Sequence, residues 1–188
     1  MDNFENQPQS LPNPRYNMHM HTTPLTFKSQ SIHDTLTVGS ALGAVLRRGD
    51  VVLLDGDLGA GKTHLSKGIV AGTGSIDLVT SPTFVFINEY RTATQLTIFH
   101  IDLYRIESPA ELDSIGLSDA TAGSGICLIE WAERDPSLQE IPHLHIQLIH
   151  VTPTSRYIRL TSQGTRATEI IHTLQQQQRL TLYQEDSV

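Results

Sequence analysis

The hydrophobic pattern of the chain predicts strands of two kinds. Residues 51–54 and 126–129 are continuous apolar runs, which is typical of strands that are buried on both faces of a sheet. Residues 143–150 alternate between apolar and polar side chains, and this indicates a strand with one polar face. Residues 26–30 and 157–160 are predicted to form two more, shorter strands.

Two helices are predicted where apolar residues recur at helical spacing. The first begins with the capping-box pattern of Ser31 and Asp34, whose side chains can accept hydrogen bonds from free backbone N–H groups. Basic residues followed by glycine at positions 47–49 predict its end. The second helix is predicted over residues 63–71, and Gly72 follows it as a helix-terminating residue.

Between these segments the sequence predicts a hairpin and a further helix. Residues 83–90 and 95–102 are rich in Phe, Ile, Val and Thr and are joined by a short link, which favours an antiparallel pair. Pro109 after Ser108 is typical of the first position of a helix. Strands that alternate with helices, beside one antiparallel pair, predict an α/β fold with a mixed, mainly parallel sheet.

The polar ends of the chain predict the boundaries of one domain, and the length of 188 residues suits one domain. Residues 1–23 are rich in Pro, Asn, Gln and His without periodicity, so we expect a disordered N-terminal tail. Residues 165–188 are polar and include four consecutive glutamines, which predicts a C-terminal tail that is either a short helix or disordered. The domain is therefore expected over residues 24–164.

Composition narrows the classes of protein. The chain has 13 basic and 20 acidic side chains, and its net charge of −7 argues against nucleic-acid binding through the overall field. The single cysteine, Cys127, excludes an internal disulfide and lies in an apolar run, which favours a buried apolar role. A signal-peptide pattern and an apolar run of membrane-spanning length are both absent from the sequence. We therefore expect a soluble, cytoplasmic protein without a membrane partner.

The strongest chemical signal lies between the first continuous apolar run and the second helix. Its sequence, Gly-Asp-Leu-Gly-Ala-Gly-Lys-Thr at residues 56–63, matches the phosphate-binding pattern G-x-x-x-x-G-K-[ST]. Glycines let the backbone curl so that N–H groups point at phosphate oxygens, and the following helix directs its positive end there. We expect Lys62 to contact the terminal phosphates of ATP and the Thr63 hydroxyl to ligate Mg²⁺. The order of strand, loop and helix predicts a single-domain, three-layer fold of the P-loop NTPase type.

A carboxylate that completes the Mg²⁺ site is expected at the end of a neighbouring strand. Asp102 ends the apolar run 96–101, and Glu130 ends the run 126–129. The continuous apolar run before Glu130 favours this residue as the metal ligand. Asp102 would then be the residue that orients the attacking water. Each also has a structural interpretation, since Asp102 could pair with Arg105 and Glu130 could cap a turn. The residues alone leave the division of roles between the two carboxylates open.

Two further features lie where a nucleotide site would use them. The hydroxyl-rich loop of residues 81–83 could fold over the γ-phosphate as a switch, or it could be an ordinary Ser-Pro turn. Trp131, the only tryptophan, follows Glu130 directly, although a lone tryptophan is usually part of a core. Both alternatives stay open on the residues alone.

The order of four motifs gives the chain a resemblance to a known family. The phosphate loop is followed by Ser-Pro-Thr-Phe at 81–84, His-Ile-Asp-Leu-Tyr-Arg at 100–105 and Ile-Glu-Trp at 129–131. Together these motifs resemble the bacterial TsaE family, the small ATPase of tRNA threonylcarbamoyladenosine synthesis. The resemblance covers about residues 25–160, and the D-L-Y-R and E-W elements are its specific part.

The resemblance implies a P-loop protein that binds and slowly hydrolyses ATP with Mg²⁺ and leaves the tRNA chemistry to others. It implies association with the TsaB–TsaD pair, in which TsaD transfers threonylcarbamoyl to adenosine 37 of tRNA. ATP hydrolysis would then reset that complex between turnovers.

The resemblance also implies roles for individual residues. Lys62, Asp102, Glu130 and Trp131 form the expected catalytic set, and Thr63 and Glu130 hold Mg²⁺. The implied nucleotide contacts are Thr35, Asp57, Leu58, Gly59, Ala60, Gly61, Lys62, Thr63, His64, Ser81, Thr83 and Arg156. The chain departs from the family at His64, where many members carry a second threonine. Because His64 only neighbours the metal ligand, we still expect ATP binding.

Three other functions compete for the same loop. A small-molecule kinase usually needs basic lid residues that close over the transferred phosphoryl group. Residues 108–129 contain neither Arg nor Lys, which argues against a basic lid in this stretch. A GTPase-like switch would carry an Asn-Lys-x-Asp element for guanine, which the sequence lacks, so ATP is preferred. A nucleotide-binding assembly subunit without turnover would differ from a TsaE protein in that partners leave its hydrolysis rate unchanged.

Overall fold

Seven strands form one sheet in the computed structural model, which describes residues 23–108, 111–112 and 115–177. In chain order the strands are β1 (Leu25–Ser29), β2 (Val51–Asp55), β3 (Ile87–Arg91), β4 (Thr97–Asp102), β5 (Ile126–Glu130), β6 (His143–Thr152) and β7 (Ser155–Gln163). Their order across the sheet is β1-β7-β6-β2-β5-β4-β3. The four neighbours β6, β2, β5 and β4 are parallel, and the pairings outside them are antiparallel. The predicted mixed sheet and its hairpin are confirmed.

Helices and short helical turns cover the two faces of the sheet. The longer helices are α1 (Ile32–Gly43), α2 (Lys62–Gly72) and α3 (Thr165–Gln175). Shorter helical segments are Leu117–Asp119, Ala120–Ser124, Ala132–Arg134 and Pro136–Gln139. Among the residues that the structure describes, no helix is long and apolar enough to cross a membrane.

The core has two halves because successive side chains of a strand point to opposite faces. From β2, Val52 and Leu54 pack in the half that contains the apolar residues of α1, α2 and α3. Val51 and Leu53 pack in the other half, among residues of the short helical segments. The sheet therefore lies between two helical layers, as predicted.

The predicted start of α1 is confirmed, but its predicted end is wrong. The Ser31 hydroxyl accepts a hydrogen bond from the N–H of Asp34, and the Asp34 carboxylate accepts one from the N–H of Gln30. The helix ends at Gly43 and not at residues 47–49. The N–H of Arg47 donates to the Asp50 carboxylate at 2.8 Å, so it makes this bond and no helical one.

The predicted hairpin forms, but its first strand starts later than predicted. The helix predicted to begin at Pro109 lies largely outside the described residues. Strand β3 begins at Ile87 because the preceding residues turn back, with the N–H groups of Val85 and Phe86 donating to the Pro82 carbonyl. Residues 109–110 and 113–114 are outside the described part of the chain.

The predicted domain boundary at residue 164 needs correction. Helix α3 begins at Thr165, and its residues Ile170, Ile171 and Leu174 are buried in the larger half of the core. The polar appearance of this stretch reflects its solvent-facing side, whereas its apolar residues recur at helical spacing. The packed unit thus extends to Gln175. The predicted N-terminal tail, apart from Thr23, and residues 178–188 lie outside the described residues.

Candidate functional site

Glycine determines the shape of the loop between β2 and α2. Gly56, Gly59 and Gly61 have φ values of 143°, 81° and 107°, a region that side chains disfavour. A Cβ atom on Gly56 would lie 2.5 Å from the carbonyl oxygen of Leu148, so bulk is also excluded there. Gly61 caps α2 without a side-chain hydrogen bond, which leaves the first N–H groups of the helix for a ligand.

Lys62 is held over this loop by weak partners. Its Nζ atom donates to the carbonyl oxygens of Gly56 at 2.5 Å and Asp57 at 3.1 Å. It also lies 3.6 Å from the centroid of the Trp131 ring, a cation–π contact. Burial lowers the pKa of Lys62, and nearby carboxylates, Glu130 first, oppose that shift. A phosphate group would be a stronger partner for this ammonium group than any of these.

Glu130 lies beside the first turn of α2 and is only 2% exposed. Its Oε2 atom accepts a hydrogen bond from the Thr63 hydroxyl at 3.2 Å. Its Oε1 atom accepts from Ser66 Oγ at 3.1 Å and from His100 Nε2 at 2.7 Å. Mg²⁺ prefers a hydroxyl and a carboxylate as oxygen ligands, so Thr63 and Glu130 fit this ion.

Asp102 is the register partner of Glu130 on the neighbouring strand. Its Oδ2 atom accepts hydrogen bonds from the hydroxyls of Thr83 at 2.5 Å and Ser81 at 3.5 Å. Its Oδ1 atom accepts from the N–H of Tyr104 at 2.9 Å. Asp102 therefore ties the hydroxyl-rich loop to the end of β4.

Arg105 does not pair with Asp102. The guanidinium carbon of Arg105 instead lies 5.1 Å from the centroid of the Phe84 ring. The predicted pair with Arg105 is therefore wrong, and Asp102 instead contacts the loop at residues 81–83. The expectation that Asp102 orients the attacking water stays a prediction.

Trp131 forms part of the cavity wall and is not enclosed in the core. It has a left-handed backbone conformation with φ of 61°, and its N–H donates to the Leu54 carbonyl at 2.9 Å. Its ring lies 4.9 Å from the ring of Tyr104, centroid to centroid, and directly under Lys62. The bond to β2 holds the turn after β5 against the phosphate loop.

These side chains meet in a cavity of about 300 Å³. The four residues of the expected catalytic set all line it. The complete lining is Leu58, Gly59, Gly61, Lys62, Thr63, His64, Ser81, Thr83, Asp102, Tyr104, Glu130 and Trp131.

A second cavity of about 520 Å³ shares Gly59, Gly61 and His64 with the first and is also lined by Arg156. Burial, and then the charges of Lys67 and Arg156, lower the pKa of His64. The two cavities adjoin at His64, near the positive charges of Lys67 and Arg156. These charges suit an anion that extends through both cavities.

Arg156 and Thr35 form a pair beside the second cavity. Arg156 Nη1 donates to the Thr35 hydroxyl at 2.8 Å, and Arg156 Nε is buried with no hydrogen-bond partner within the described residues. Thr35 is fully buried and lines neither cavity. Arg156 is therefore the member of the pair that can reach a ligand.

Two residues of the predicted phosphate loop contribute backbone atoms. Asp57 is exposed, and its carbonyl oxygen accepts from Lys62. Ala60 is buried, and its N–H donates to that same carbonyl at 3.0 Å. Neither side chain lines the cavity of about 300 Å³.

Two interior partners of Glu130, His100 and Ser66, were not predicted from the sequence. His100 lies two residues before Asp102, so the alternation of β4 places both on one face. Ser66 lies one helical turn after Lys62. These spacings were visible in the sequence, but only the fold shows that both side chains converge on one carboxylate.

A second missed group, Asp55, Glu133 and His145, adjoins the phosphate loop. His145 Nε2 lies 2.7 Å from Asp55 Oδ2, and the N–H of Glu133 donates to Asp55 Oδ1 at 3.3 Å. Burial alone would raise the pKa of Asp55, but the hydrogen bonds from His145 and Glu133 hold it at about 2. Burial and then Asp55 raise the pKa of Glu133 to about 7. This cluster joins the end of β2 to the turn that carries Trp131.

Comparison with known proteins gives consistent matches. The family model described as "Threonylcarbamoyl adenosine biosynthesis protein TsaE" matches residues 29–158. A Bacillus subtilis protein titled tRNA threonylcarbamoyladenosine biosynthesis protein TsaE is 35% identical over 144 residues, 76% of this chain and 88% of the relative. A Treponema pallidum protein of the same title is 39% identical over 120 residues, 64% of this chain and 86% of the relative.

A solved structure agrees with these sequence matches. The crystal structure of Bacillus subtilis YdiB superimposes with a TM-score of 0.69 and 30% sequence identity. The match covers 84% of this chain and 97% of that one. The family model matches well over half of the chain and includes every motif that carried the resemblance. The chain therefore belongs to the TsaE family.

Proposed function

We propose that the chain is an ATP-binding and ATP-hydrolysing subunit of tRNA N6-threonylcarbamoyladenosine modification at adenosine 37. It acts in the cytoplasm with the TsaB–TsaD complex, which it resets between turnovers. Membership of the family and the titles of the relatives support the pathway. The observation that carries the proposal is the meeting of Lys62, Thr63, Asp102, Glu130 and Trp131 at one cavity beside a glycine-shaped loop.

The loop and α2 bind the phosphates of ATP in this proposal. The N–H groups at the start of α2 and the ammonium group of Lys62 together offer a fixed set of donors to an anion. Lys62 exchanges its carbonyl contacts and the Trp131 ring for phosphate oxygens. Arg156 lines the second cavity and adds the positive charge of its guanidinium group from that side.

Thr63 and Glu130 hold Mg²⁺ through their neighbouring oxygens. Bound Mg²⁺ supplies charge neutralisation on the phosphates. The chain's part is to keep the Glu130 carboxylate buried and aimed at Thr63, which its interior hydrogen bonds do.

Asp102 and the loop at residues 81–83 respond to the bound nucleotide. Asp102 now accepts the hydroxyls of Ser81 and Thr83. When these hydroxyls turn to the γ-phosphate, Asp102 is left free to accept a hydrogen bond from the attacking water and to orient it. Water is then the phosphoryl acceptor, and hydrolysis requires the loop at residues 81–83 to move first.

A protein partner has apolar side chains to contact next to this loop. Phe84 and Val85 are 81% and 61% exposed and follow Thr83 directly in the chain. Exposed apolar side chains beside a site are typical of a protein contact. A partner that binds them would act directly on the loop that Asp102 holds, which supports a rate that depends on TsaB and TsaD.

The test is phosphate release from ATP by the purified chain, alone and with its cognate TsaB and TsaD. Lys62→Ala, purified in the same way, measures contaminating ATPases. A low basal rate that depends on Mg²⁺, is lost in Lys62→Ala and rises with the pair would support the proposal.

Two results would contradict it in different ways. A rate that ignores TsaB and TsaD, with no complex detected, would remove the tRNA-modification role and leave nucleotide binding in place. Phosphate transfer to a small-molecule acceptor in place of water would show a kinase.

A further inference from the structure

The two carboxylate oxygens of Glu130 have different surroundings. Oε1 lies in the interior, where it accepts hydrogen bonds from His100 Nε2 at 2.7 Å and Ser66 Oγ at 3.1 Å. Oε2 lies 3.2 Å from the hydroxyl of Thr63, a cavity residue. One oxygen is therefore held by the protein interior, and the other belongs to the site.

The register of the parallel strands places His100 behind Glu130. His100 pairs with Leu128 across β4 and β5, and Asp102 pairs with Glu130, so the four side chains project from one face of the sheet. The His100 ring is fully buried and does not line the cavity. It lies 6.2 Å from the ring of Tyr90, centroid to centroid. The imidazole thus reaches Glu130 from the core and cannot itself touch a nucleotide.

The chemistry of the pair decides which atom donates. A carboxylate only accepts hydrogen bonds, so His100 Nε2 carries the hydrogen of the 2.7 Å contact. Nδ1 has no hydrogen-bond partner among the described residues, which suits a ring nitrogen that carries no hydrogen. Within that part of the chain, the ring makes its hydrogen bond to Glu130 alone.

We propose that His100 is a positioning residue of the Mg²⁺ site, which holds Oε1 of Glu130 so that Oε2 faces the metal beside Thr63. The inference rests on the proposed function, because it requires Glu130 to serve Mg²⁺. A buried carboxylate that loses a charge-assisted hydrogen bond turns toward another donor or water, and Oε2 then loses its direction. Partners behind a metal ligand change metal affinity by roughly 10- to 100-fold.

The test compares His100→Gln with His100→Met. The glutamine amide keeps an N–H donor at about the reach of Nε2, whereas methionine has a similar length and no donor. ATP binding by the full chain is followed through Trp131 fluorescence while Mg²⁺ is titrated, and Mn²⁺ binding to the nucleotide complex is followed by electron paramagnetic resonance.

We expect His100→Met to raise the Mg²⁺ concentration needed for half-maximal effect by about 10-fold or more. His100→Gln should stay close to the wild type, and ATP binding without metal should be the same in all three proteins. His100→Asn, whose amide is too short to reach Oε1, should behave like His100→Met and replaces it if that variant fails to fold.

Three outcomes overturn the inference while the proposed function stands. His100→Met, or His100→Asn in its place, could need no more Mg²⁺ than the wild type although its melting temperature falls, which would show a purely structural role. His100→Gln could be as impaired as His100→Met, or ATP binding without metal could weaken equally. Failure of the proposed function looks different: the wild type would show no Mg²⁺-dependent ATP binding, or Glu130→Ala would retain it.

Discussion

At the scale of one residue, Lys62 shows how a buried ammonium group is held by partners that are not carboxylates. Its partners are two carbonyl oxygens and the Trp131 ring. These partners give the ammonium group its direction, yet each is weaker than an ionic partner. The protein can therefore fold with this charge buried, and the ammonium group remains available to bind an anion.

Replacing Lys62 by alanine should therefore abolish ATP binding. Hydrogen bonds to a charged group contribute about 1.5–3 kcal/mol each, so the loss of two corresponds to at least about 100-fold in Kd. Isothermal titration calorimetry with Mg²⁺ and ATP measures the change. Lys28→Ala removes an exposed lysine charge on β1, outside both cavities, and is the matched control. Equal affinities in the two variants would contradict the role given to Lys62.

Glu133 predicts a pH dependence of stability. Its pKa is raised from 4.5 to about 7, so the folded protein holds this proton more tightly than the unfolded chain. The resulting stabilisation is complete below about pH 4.5 and is lost as the pH rises through 7. Asp55 acts in the opposite direction and in a lower window, because its pKa is lowered from 3.8 to about 2.

Glu133→Gln should therefore flatten the decline of melting temperature between about pH 5 and pH 8. Thermal unfolding followed by circular dichroism at several pH values measures it. Glu140→Gln, at an exposed position shortly after Glu133 in the chain, is the control. Parallel curves for the wild type and Glu133→Gln would show that this proton does not contribute to stability.

At the scale of elements, α1 and α2 touch through glycine. A Cβ atom on Gly68 would lie 2.5 Å from the Leu36 carbonyl oxygen, and one on Gly39 would lie 2.5 Å from the Leu65 carbonyl oxygen. Backbone atoms of the partner helix cannot move aside as a side-chain end can. The absence of side chains lets the phosphate-loop helix lie directly on α1.

Gly68→Ala should destabilise the protein, although alanine in a helix is normally favoured over glycine by about 1 kcal/mol. Overpacking a close contact costs about 1–3 kcal/mol, and it should exceed the gain in helix propensity. Urea unfolding gives the change in free energy. Thr37→Ala, on the exposed side of α1, is the control and should change little. A more stable Gly68→Ala would show that the two helices can separate.

The elements that the sequence predicted best are those with local signals. The capping residues Ser31 and Asp34 located the start of α1, and the glycine pattern located the loop before α2. The end of α1 was misplaced because the N–H of Val45 donates to the Leu42 carbonyl, three residues back, and the N–H of Arg47 donates to the Asp50 carboxylate. Basic residues before a glycine gave a plausible local end, but the helical hydrogen bonds stop ahead of them in the chain.

At the scale of the whole molecule, the site depends on strands that are distant in sequence. The sequence identified Asp102 and Glu130 as strand-end carboxylates, and the parallel register makes them neighbours. It did not identify His100, Ser66 or the cluster around Asp55, since their partners are set by the packing of α2, β4, β5 and β6. Motifs predicted the residues that line the cavity, whereas the residues behind them required the fold.

Helix α3 gives the whole-molecule prediction, because it closes the core beside β6 and β7. Ending the chain at Gly164 removes buried Ile170, Ile171 and Leu174, each of which contributes about 1.5–3 kcal/mol. That loss approaches the total stability of an ordinary domain, about 5–15 kcal/mol, so we expect the shortened chain to unfold or aggregate. A chain ending at Gln177 keeps the packed helix and is the control. Circular dichroism and ATP binding compare the two, and a folded, ATP-binding chain of 164 residues would show that α3 is dispensable to the fold that positions the site.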